Sequence, residues 1–321
     1  MMKNLFLAIC ACCLTLLLAG CRTHHGTSIT PALKVSDGVS NIYVQKTNAI
    51  DGAAMVWVPG GTFTMGCPDS IDGGVASKGE TQLVTFYGYW IYKYPVTVAQ
   101  YRAFCSATGH ALPVYPIPPA GNNMGFFTPW SQNVDWTGTA GHLQQTPIVN
   151  VHRADAEVYC AWAKVSLPTE AQYEYAARGV QENKYPWGWT ATSADKLLDG
   201  WDDTKCANYN NSSSVGKGTW PVGSFPAGAS WCGAQDLAGN VWEWCADWYS
   251  DYSSMPVTNP SGPITGCYRV LRGSSWNDFF NGYIDSRGAS RNYYHDLDWY
   301  YDIGFRCVSV SPVPTFFVFE P

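Results

Sequence analysis

The residues best suited to a chemical role in this 321-residue sequence lie in one stretch near its C-terminal end. Residues 277–302 contain eight aromatic side chains, five aspartates and two arginines, but no Lys, Glu, Gln or Met. A buried core would be richer in Leu, Ile and Val, and a disordered segment would contain few aromatics. Rigid tyrosines among Asp, Asn, Ser and Gly are typical of surfaces that bind macromolecules. The composition therefore predicts a binding surface.

The predicted contact residues are the polar and aromatic side chains of this stretch. They are Asp278, Phe280, Asn281, Tyr283, Asp285, Ser290, Tyr293, Tyr294, His295, Asp298, Trp299, Tyr300 and Tyr301. Trp276 and Phe305 flank the stretch in strand-like sequence and are expected to be buried. The expected ligand is a protein or another macromolecule, which the sequence does not identify.

The same stretch has an unusual coding property. Changing the first two bases of an AAC or AAT codon gives Asn, Asp, Ser, Gly, Thr, Ala, Ile, Val, Leu, Pro, His, Arg, Tyr, Cys or Phe. Every residue of 277–302 except Trp299 belongs to this set. Ordinary drift in a loop of small residues is the alternative. The pattern resembles the variable region of proteins that a retroelement diversifies through adenine mutagenesis.

Motifs for hydrolytic catalysis are missing from the sequence. No GxSxG nucleophile elbow occurs, and the histidines form no HExxH motif. The histidines are at positions 24, 25, 110, 142, 152 and 295.

Composition and charge narrow the class of protein. The net charge is -6 and the pI about 5.4, without a Lys/Arg cluster, which argues against nucleic-acid binding. Charged residues are only 14%, while Gly and Pro number 31 and 20 and favour many turns. This balance suits a compact, loop-rich protein outside the cytoplasm.

The N-terminus has the features of an export signal. Lys3 supplies a positive charge, and the apolar run 5–18 is short for a membrane span. It ends in Leu-Ala-Gly-Cys, which resembles a bacterial lipoprotein signal cleaved before Cys21. Several acyl chains on Cys21 would anchor the protein. Arg22 follows without an acidic neighbour, so we expect the outer membrane or cell surface; a plain secretory signal is the alternative.

The remaining chain is expected to form one domain. Predicted boundaries are 1–20 for the signal peptide, 21–52 for a polar tether, 53–312 for the domain and 313–321 for a tail. The predicted variable region within the domain covers residues 269–307.

Sequence patterns predict several elements of this domain. Residues 54–66 alternate apolar side chains around Pro59-Gly60-Gly61, which predicts a hairpin, and 81–94 predicts a strand. Helices are predicted over 96–106, over 154–163 with Val158 on the apolar side, and from an N-cap at Thr169 to Gly179.

Seven motifs together carry a family resemblance that spans nearly the whole chain after residue 54. They are MVWVPGGTFTMG, LPTEAQYEYAARG, YPWG, VGSFP, DLAGNVWEWCADWY, RVLRGSSW and IGFRC. In this order they resemble the formylglycine-generating-enzyme, or sulfatase-modifying factor, domain. The resemblance implies an α+β, loop-rich single domain of C-type lectin fold. Together with the lipoprotein signal and the variable stretch, the seven motifs also resemble the retroelement-diversified variable lipoproteins of Treponema.

The resemblance does not carry the family's catalysis to this chain. Enzymes of the family use two cysteines that bind copper, and thiolates are the ligands that select Cu(I). The matching positions here are Asp278 and Tyr283, which supply no thiolate. We therefore expect no enzymatic activity and no redox cofactor, and a surface-displayed ligand-binding lipoprotein. An assembly lipoprotein of the envelope is the alternative, followed by a cofactor-dependent oxidase.

The resemblance also implies a structural calcium site. Asp236 and Glu243 would supply carboxylates, and Gly239 and Val241 would supply backbone carbonyls. A turn held by hydrogen bonds without metal is the alternative. A second site near Asn208 and Tyr209 is less favoured, because Ser214 stands where the family has Asp.

Eight cysteines follow the export signal. In an exported chain they allow up to four disulfides or a mixture with buried thiols, and the sequence does not specify the pairing. They are Cys67, Cys105, Cys160, Cys206, Cys232, Cys245, Cys267 and Cys307.

Overall fold

A computed structural model describes residues 29–36, 39–67, 81–113, 143–188, 200–207, 218–278 and 286–310, with the backbone alone for those before 43. The signal peptide, Cys21, the second calcium site and the C-terminal tail lie outside these residues. The described residues contain three α-helices, α1 (Val98–Thr108), α2 (Arg153–Ala163) and α3 (Glu170–Arg178). The described strands are β1 (Ile29–Ser36), β2 (Val39–Thr47), β3 (Ala54–Gly66), β4 (Thr81–Tyr92), β5 (Trp242–Trp248), β6 (Val257–Thr258), β7 (Arg269–Arg272), β8 (Arg291–Tyr294), β9 (Ile303–Gly304) and β10 (Val308–Ser309). The chain is an α+β single domain.

One sheet is built on a long antiparallel pair. β3 and β4 pair from Met55 opposite Tyr92 to Gly66 opposite Thr81, within the strand order β1-β2-β3-β4-β10, and β6 also pairs with β4. The predicted hairpin at Pro59-Gly60-Gly61 is therefore wrong, because these residues lie inside β3.

Close packing explains the two glycines of β3. A Cβ added to Gly60 would lie 2.7 Å from the carbonyl oxygen of Phe86, and one on Gly61 would lie 2.3 Å from the Tyr175 hydroxyl. Pro59 lacks an N–H group, and it is tolerated because β2 pairs only with residues 54–56 of β3. The sequence suggested a turn where the fold needs small residues.

The N-terminal strands differ from the tether prediction. β1 and β2 pair along their whole length, and β2 continues the sheet through Gln45, opposite Val56. The polar sequence over 29–47 shows no sustained period, so its strand character was not evident. None of the described helices has the length and apolar character needed to cross a bilayer.

The helices form close to where the sequence predicted them. Thr97 and Thr169 each complete a capping box, with the Gln three residues later returning a hydrogen bond. On α2 the predicted apolar side is partly wrong, because Val158 is 46% exposed while Tyr159 is fully buried.

The second sheet carries the segment of interest. Its four strands follow the order β8-β7-β5-β9, with β7 and β8 antiparallel and Val270 opposite Tyr293. The core between α1, α2 and this sheet includes Trp244, Leu271 and Phe305, all fully buried. β8 is the last strand of the described sheet, so its side chains meet solvent at one edge.

Candidate functional site: an aromatic surface on β8

Four aromatic rings in mutual contact form a partly exposed row beside β8, which we call the aromatic ladder. Tyr249, Tyr293, Tyr268 and His295 follow one another, with ring centroids 4.4, 4.9 and 4.4 Å apart. Tyr293 is 43% exposed and Tyr268 is 38% exposed. Such tilted pairs are favourable arrangements of aromatic rings, so the ladder holds its shape without being buried.

A second group of rings lies at the end of β8 and on the residues that follow it. Tyr294 and Tyr300 are 4.8 Å apart, and Tyr300 is 40% exposed. Tyr301 packs 5.9 Å from Trp276. Trp276 is 4% exposed and Phe305 is fully buried, which confirms the prediction that the rings at the two ends belong to the core.

Ion pairs with the rest of the domain anchor the segment. Arg291 donates to both carboxylate oxygens of Glu170 at 2.6 and 2.9 Å. Asp296 accepts hydrogen bonds from Arg153 at 3.0 Å and from Arg269 at 3.2 Å. The segment is thus fixed at two points by charged partners from α2, α3 and β7.

Two carboxylates flank Ser275 below the second group of rings. Asp278 accepts hydrogen bonds from the Ser274 hydroxyl at 2.8 Å and the Ser275 N–H group at 2.7 Å. The Ser275 hydroxyl donates to Asp302 at 2.9 Å. Burial and the neighbouring Asp278 raise the pKa of Asp302 to about 7. The surface is therefore acidic as well as aromatic.

Comparison with known proteins gives the family directly. Residues 42–310 match the model of the sulfatase-modifying factor enzyme 1-like domain. The chain belongs to this family. The formylglycine-generating enzyme of Streptomyces coelicolor is 34% identical over 79% of this chain and 88% of its own length. A mouse relative named inactive C-alpha-formylglycine-generating enzyme 2 is 32% identical, covering 81% and 87%.

Solved structures agree with this fold. PvdO from Pseudomonas aeruginosa superposes with a TM-score of 0.62 and 27% identity, covering 83% of this chain and 97% of that one. Treponema denticola variable protein 1 superposes with a TM-score of 0.56 over 87% of this chain and 98% of its own. At 20% identity this second likeness shows the shared C-type lectin-like fold alone.

Within the sulfatase-modifying factor family, the site residues of this chain can now be placed. Of the predicted contacts, Tyr293, His295 and Tyr300 are exposed, whereas Tyr294 is half-buried against the core. Asp298 accepts the N–H group of His295 at 2.9 Å. Asp278, Asp298, Trp299 and Tyr301 are half-buried on the same segment. Phe280, Asn281, Tyr283 and Asp285 lie outside the described residues.

The prediction for Ser290 was wrong. This residue is 1% exposed, and its carbonyl accepts a hydrogen bond from the buried Arg272, so it cannot contact a ligand. The residue composition of 277–302 could not distinguish Ser290 from its exposed neighbours, because small residues occur both on surfaces and in tight turns.

Sequence reasoning missed three members of the surface. Leu297 is 80% exposed, and Tyr249 and Tyr268 complete the aromatic ladder from outside 277–302. No local signal marked the two tyrosines, since strand-like sequence adjoins both. Their pairing with Tyr293 depends on the contact between β7 and β8.

The proposed calcium residues surround an arginine. Arg306 donates to both oxygens of Glu243 at 2.7 Å, and the Tyr173 hydroxyl adds a third hydrogen bond at 3.0 Å. Arg306 also donates to the carbonyl of Asp236 at 2.9 Å. As arranged, a guanidinium takes the oxygens that a cation would need, so the set does not fit calcium. Calcium binding remains a prediction that requires Glu243 to change partner.

Other side chains that could coordinate a metal ion are spread through the domain. Burial raises the pKa of Asp236 to about 6, and its carboxylate accepts the Gly223 N–H group at 2.7 Å. Within the described ranges, no three His, Cys, Asp or Glu side chains cluster so as to hold a metal ion. Of the eight cysteines, Cys267 is exposed and the other seven are buried.

Proposed function

We propose that this chain is a ligand-binding protein that presents residues 277–302, with Tyr249 and Tyr268, to a protein or other macromolecule. The observation that carries the proposal is the aromatic ladder, which leaves Tyr293 exposed on the edge strand β8 and Tyr268 exposed beside it. Clustered tyrosines of this kind frequently supply most of the binding energy of an interface. An exposed aromatic patch on a folded domain also calls for a partner.

The anchoring pattern supports a surface that tolerates change. Glu170 and Arg153, which hold the segment, lie on helices outside it, while Tyr293, His295 and Leu297 extend from it into solvent. Substitution of the exposed side chains leaves these anchors in place. We infer that the segment is the variable region of a retroelement-diversified protein, consistent with its restricted residue set.

Display on a membrane follows from the N-terminal sequence. We infer that Cys21 carries acyl chains and that the domain is held at the outer membrane or cell surface. The acidic net charge of -6 suits a protein ligand with basic groups better than a nucleic acid.

A display library tests the binding proposal. Tyr293, His295, Leu297 and Tyr300 would be randomised with the AAY-derived residue set in the intact domain and selected against purified lysozyme. We expect enriched, folded binders, because rigid anchors and exposed positions coincide. A matched library would randomise four exposed apolar residues elsewhere, namely Leu83, Tyr87, Val158 and Val180. Equal enrichment from both libraries, or unfolded clones from the first, would contradict the proposal.

The relatives favour a second candidate, an oxidase of the formylglycine-generating type. A relative of that name is 34% identical to this chain. Asp278, at a position where the enzymes have cysteine, is hydrogen bonded to Ser274 and Ser275. Measuring oxygen uptake with a cysteine peptide and Cu(I) distinguishes an oxidase from a binding protein. Turnover would establish the oxidase, and its absence leaves the binding role.

A further inference from the structure

A cavity of about 570 Å³ lies between α3, β5 and the loop that follows β5. Its lining includes Glu170, Asp247 and Arg291 on one side and residues of the loop 250–263 on the other. None of the four rings of the aromatic ladder lines it. The volume lies within the range of about 300 to 1,000 Å³ that is usual for small-molecule sites. The cavity therefore adjoins the segment 277–302 through Arg291 but does not include the aromatic ladder.

Asp247 places a negative charge on the wall of this cavity. It is 6% exposed, and its Oδ2 atom accepts the N–H group of Glu170 at 2.8 Å. No Lys or Arg in the described part of the chain forms an ion pair with it. A buried carboxylate is costly unless a cation pairs with it. The other oxygen of Asp247, Oδ1, lies beside Gly262 of the loop that lines the cavity, and a cation would have to reach it there.

Arg291 forms its ion pair with Glu170 and not with Asp247, although its nearby positive charge lowers the pKa of the Asp247 carboxyl. The guanidinium donates to both oxygens of Glu170, and to the Ser250 carbonyl at 2.9 Å. The ring centroids of Tyr249 and Tyr252 lie 4.3 and 4.0 Å from its central carbon. With Nε, Nη2 and the ring contacts in use, Arg291 offers only part of its guanidinium to an anionic ligand. The charge that is still open in the cavity is negative.

We propose that this cavity binds an organic cation, whose ammonium or guanidinium group pairs with Asp247. Trp248 and Tyr252 in the wall suit an apolar chain, and the hydroxyl of Ser253 suits hydrogen bonding. A molecule of the size of a diamine or a basic amino acid fits the volume. This inference does not rest on the proposed function, since the aromatic ladder does not enter it and Arg291, its lining residue from 277–302, is not the group that pairs with the ligand.

Calorimetric titration of the intact domain with cadaverine at pH 8, where the Asp247 carboxyl is ionised, tests the proposal, with 1,5-pentanediol as the neutral probe of equal chain length. We expect saturable binding of the diamine and none of the diol. Asp247→Asn should weaken diamine binding at least tenfold. The control variant Asp203→Asn, which removes an exposed charge outside the cavity, should bind as the wild type does.

Three outcomes would overturn the proposal. They are equal binding of the two probes, no binding of the diamine, and unchanged affinity in a folded Asp247→Asn variant. If that variant fails to fold, Ser261→Phe narrows the cavity from its loop side. Wild-type affinity in folded Ser261→Phe would then count against the site, and a loss of at least tenfold would support it.

Discussion

Neighbouring tyrosines of one strand differ in what their side chains do. Tyr293 is 43% exposed and contacts the half-buried Tyr249 and the exposed Tyr268, whereas Tyr294 packs against the core cluster of α1 and α2. Alternation along β8 produces this division, because successive side chains of a strand point to opposite faces. Binding and stability are therefore assigned to adjacent residues.

This division predicts different costs for two matched substitutions. Tyr293→Ser should lower the free energy of unfolding by about 1 kcal/mol or less, since it loses ring contacts at the surface. Tyr294→Ser should cost about 2 kcal/mol or more, since it removes apolar contacts with the core. Urea denaturation of both variants measures the difference, and equal losses would show that β8 does not alternate as described.

At the scale of elements, ion pairs act together with the sheet hydrogen bonds to fix β8 and the turn after it. Asp296 is shared by Arg153 and Arg269, and its side chain is 39% exposed. Asp296→Asn removes the charge, so amides of residues 291–298 should exchange about threefold faster. Hydrogen-exchange mass spectrometry measures this rate. Asp298→Asn is the control, because its amide oxygen still accepts the His295 N–H group; equal acceleration would contradict the anchoring role.

Two buried thiols from elements that are distant in sequence also lie close together. The sulfurs of Cys160 on α2 and Cys307 before β10 are 3.5 Å apart. Mild oxidation should join these two first, and peptide mapping without reductant would identify the link. Because the closed loop is long, the bond should stabilise the fold by about 4 kcal/mol. A first disulfide between any other pair would contradict this prediction.

The elements also show why sequence patterns succeed in some places and fail in others. Capping boxes at Thr97 and Thr169 are local, so the sequence predicts those helices well. Pro59-Gly60-Gly61 has the composition of a turn, but its glycines serve contacts with Phe86 and Tyr175 from other elements. Such contacts are formed only by the complete fold.

At the scale of the whole molecule, the sequence predicted the fold, and it predicted part of the exposed aromatic surface but not its extent. The aromatic composition of 277–302 pointed to a surface, and Tyr293 and Tyr300 are exposed there. Tyr249 and Tyr268 join it through the sheet, which a pattern confined to one segment cannot reveal. The cavity beside Asp247 was likewise invisible in the sequence, because its walls come from distant elements.

Buried carboxyls give the whole domain a predictable pH dependence. Burial raises the pKa of Asp247 to about 7 and that of Asp236 to about 6, against about 4 in an unfolded chain. The folded state thus binds these protons more tightly, so their contribution to stability is lost as pH rises from about 4 to 7. Asp247→Asn should make the domain more stable at pH 8 and flatten this dependence.

Thermal unfolding between pH 5 and pH 8 checks this expectation. Asp251→Asn, an exposed aspartate of the adjoining loop, is the control and should leave the pH profile unchanged. A profile of Asp247→Asn that parallels the wild type would contradict the assignment of the buried charge.

The central claim is that a fixed fold presents a variable binding segment. The most direct test is to sequence this locus in many isolates and to search beside it for a near-copy of the codons for residues 269–307 next to a reverse transcriptase. We predict such a copy, with differences only at adenines and substitutions concentrated at exposed positions such as Tyr293, His295 and Tyr300. Substitutions spread evenly over the domain, with no copy, would contradict the claim and favour the role of an assembly lipoprotein.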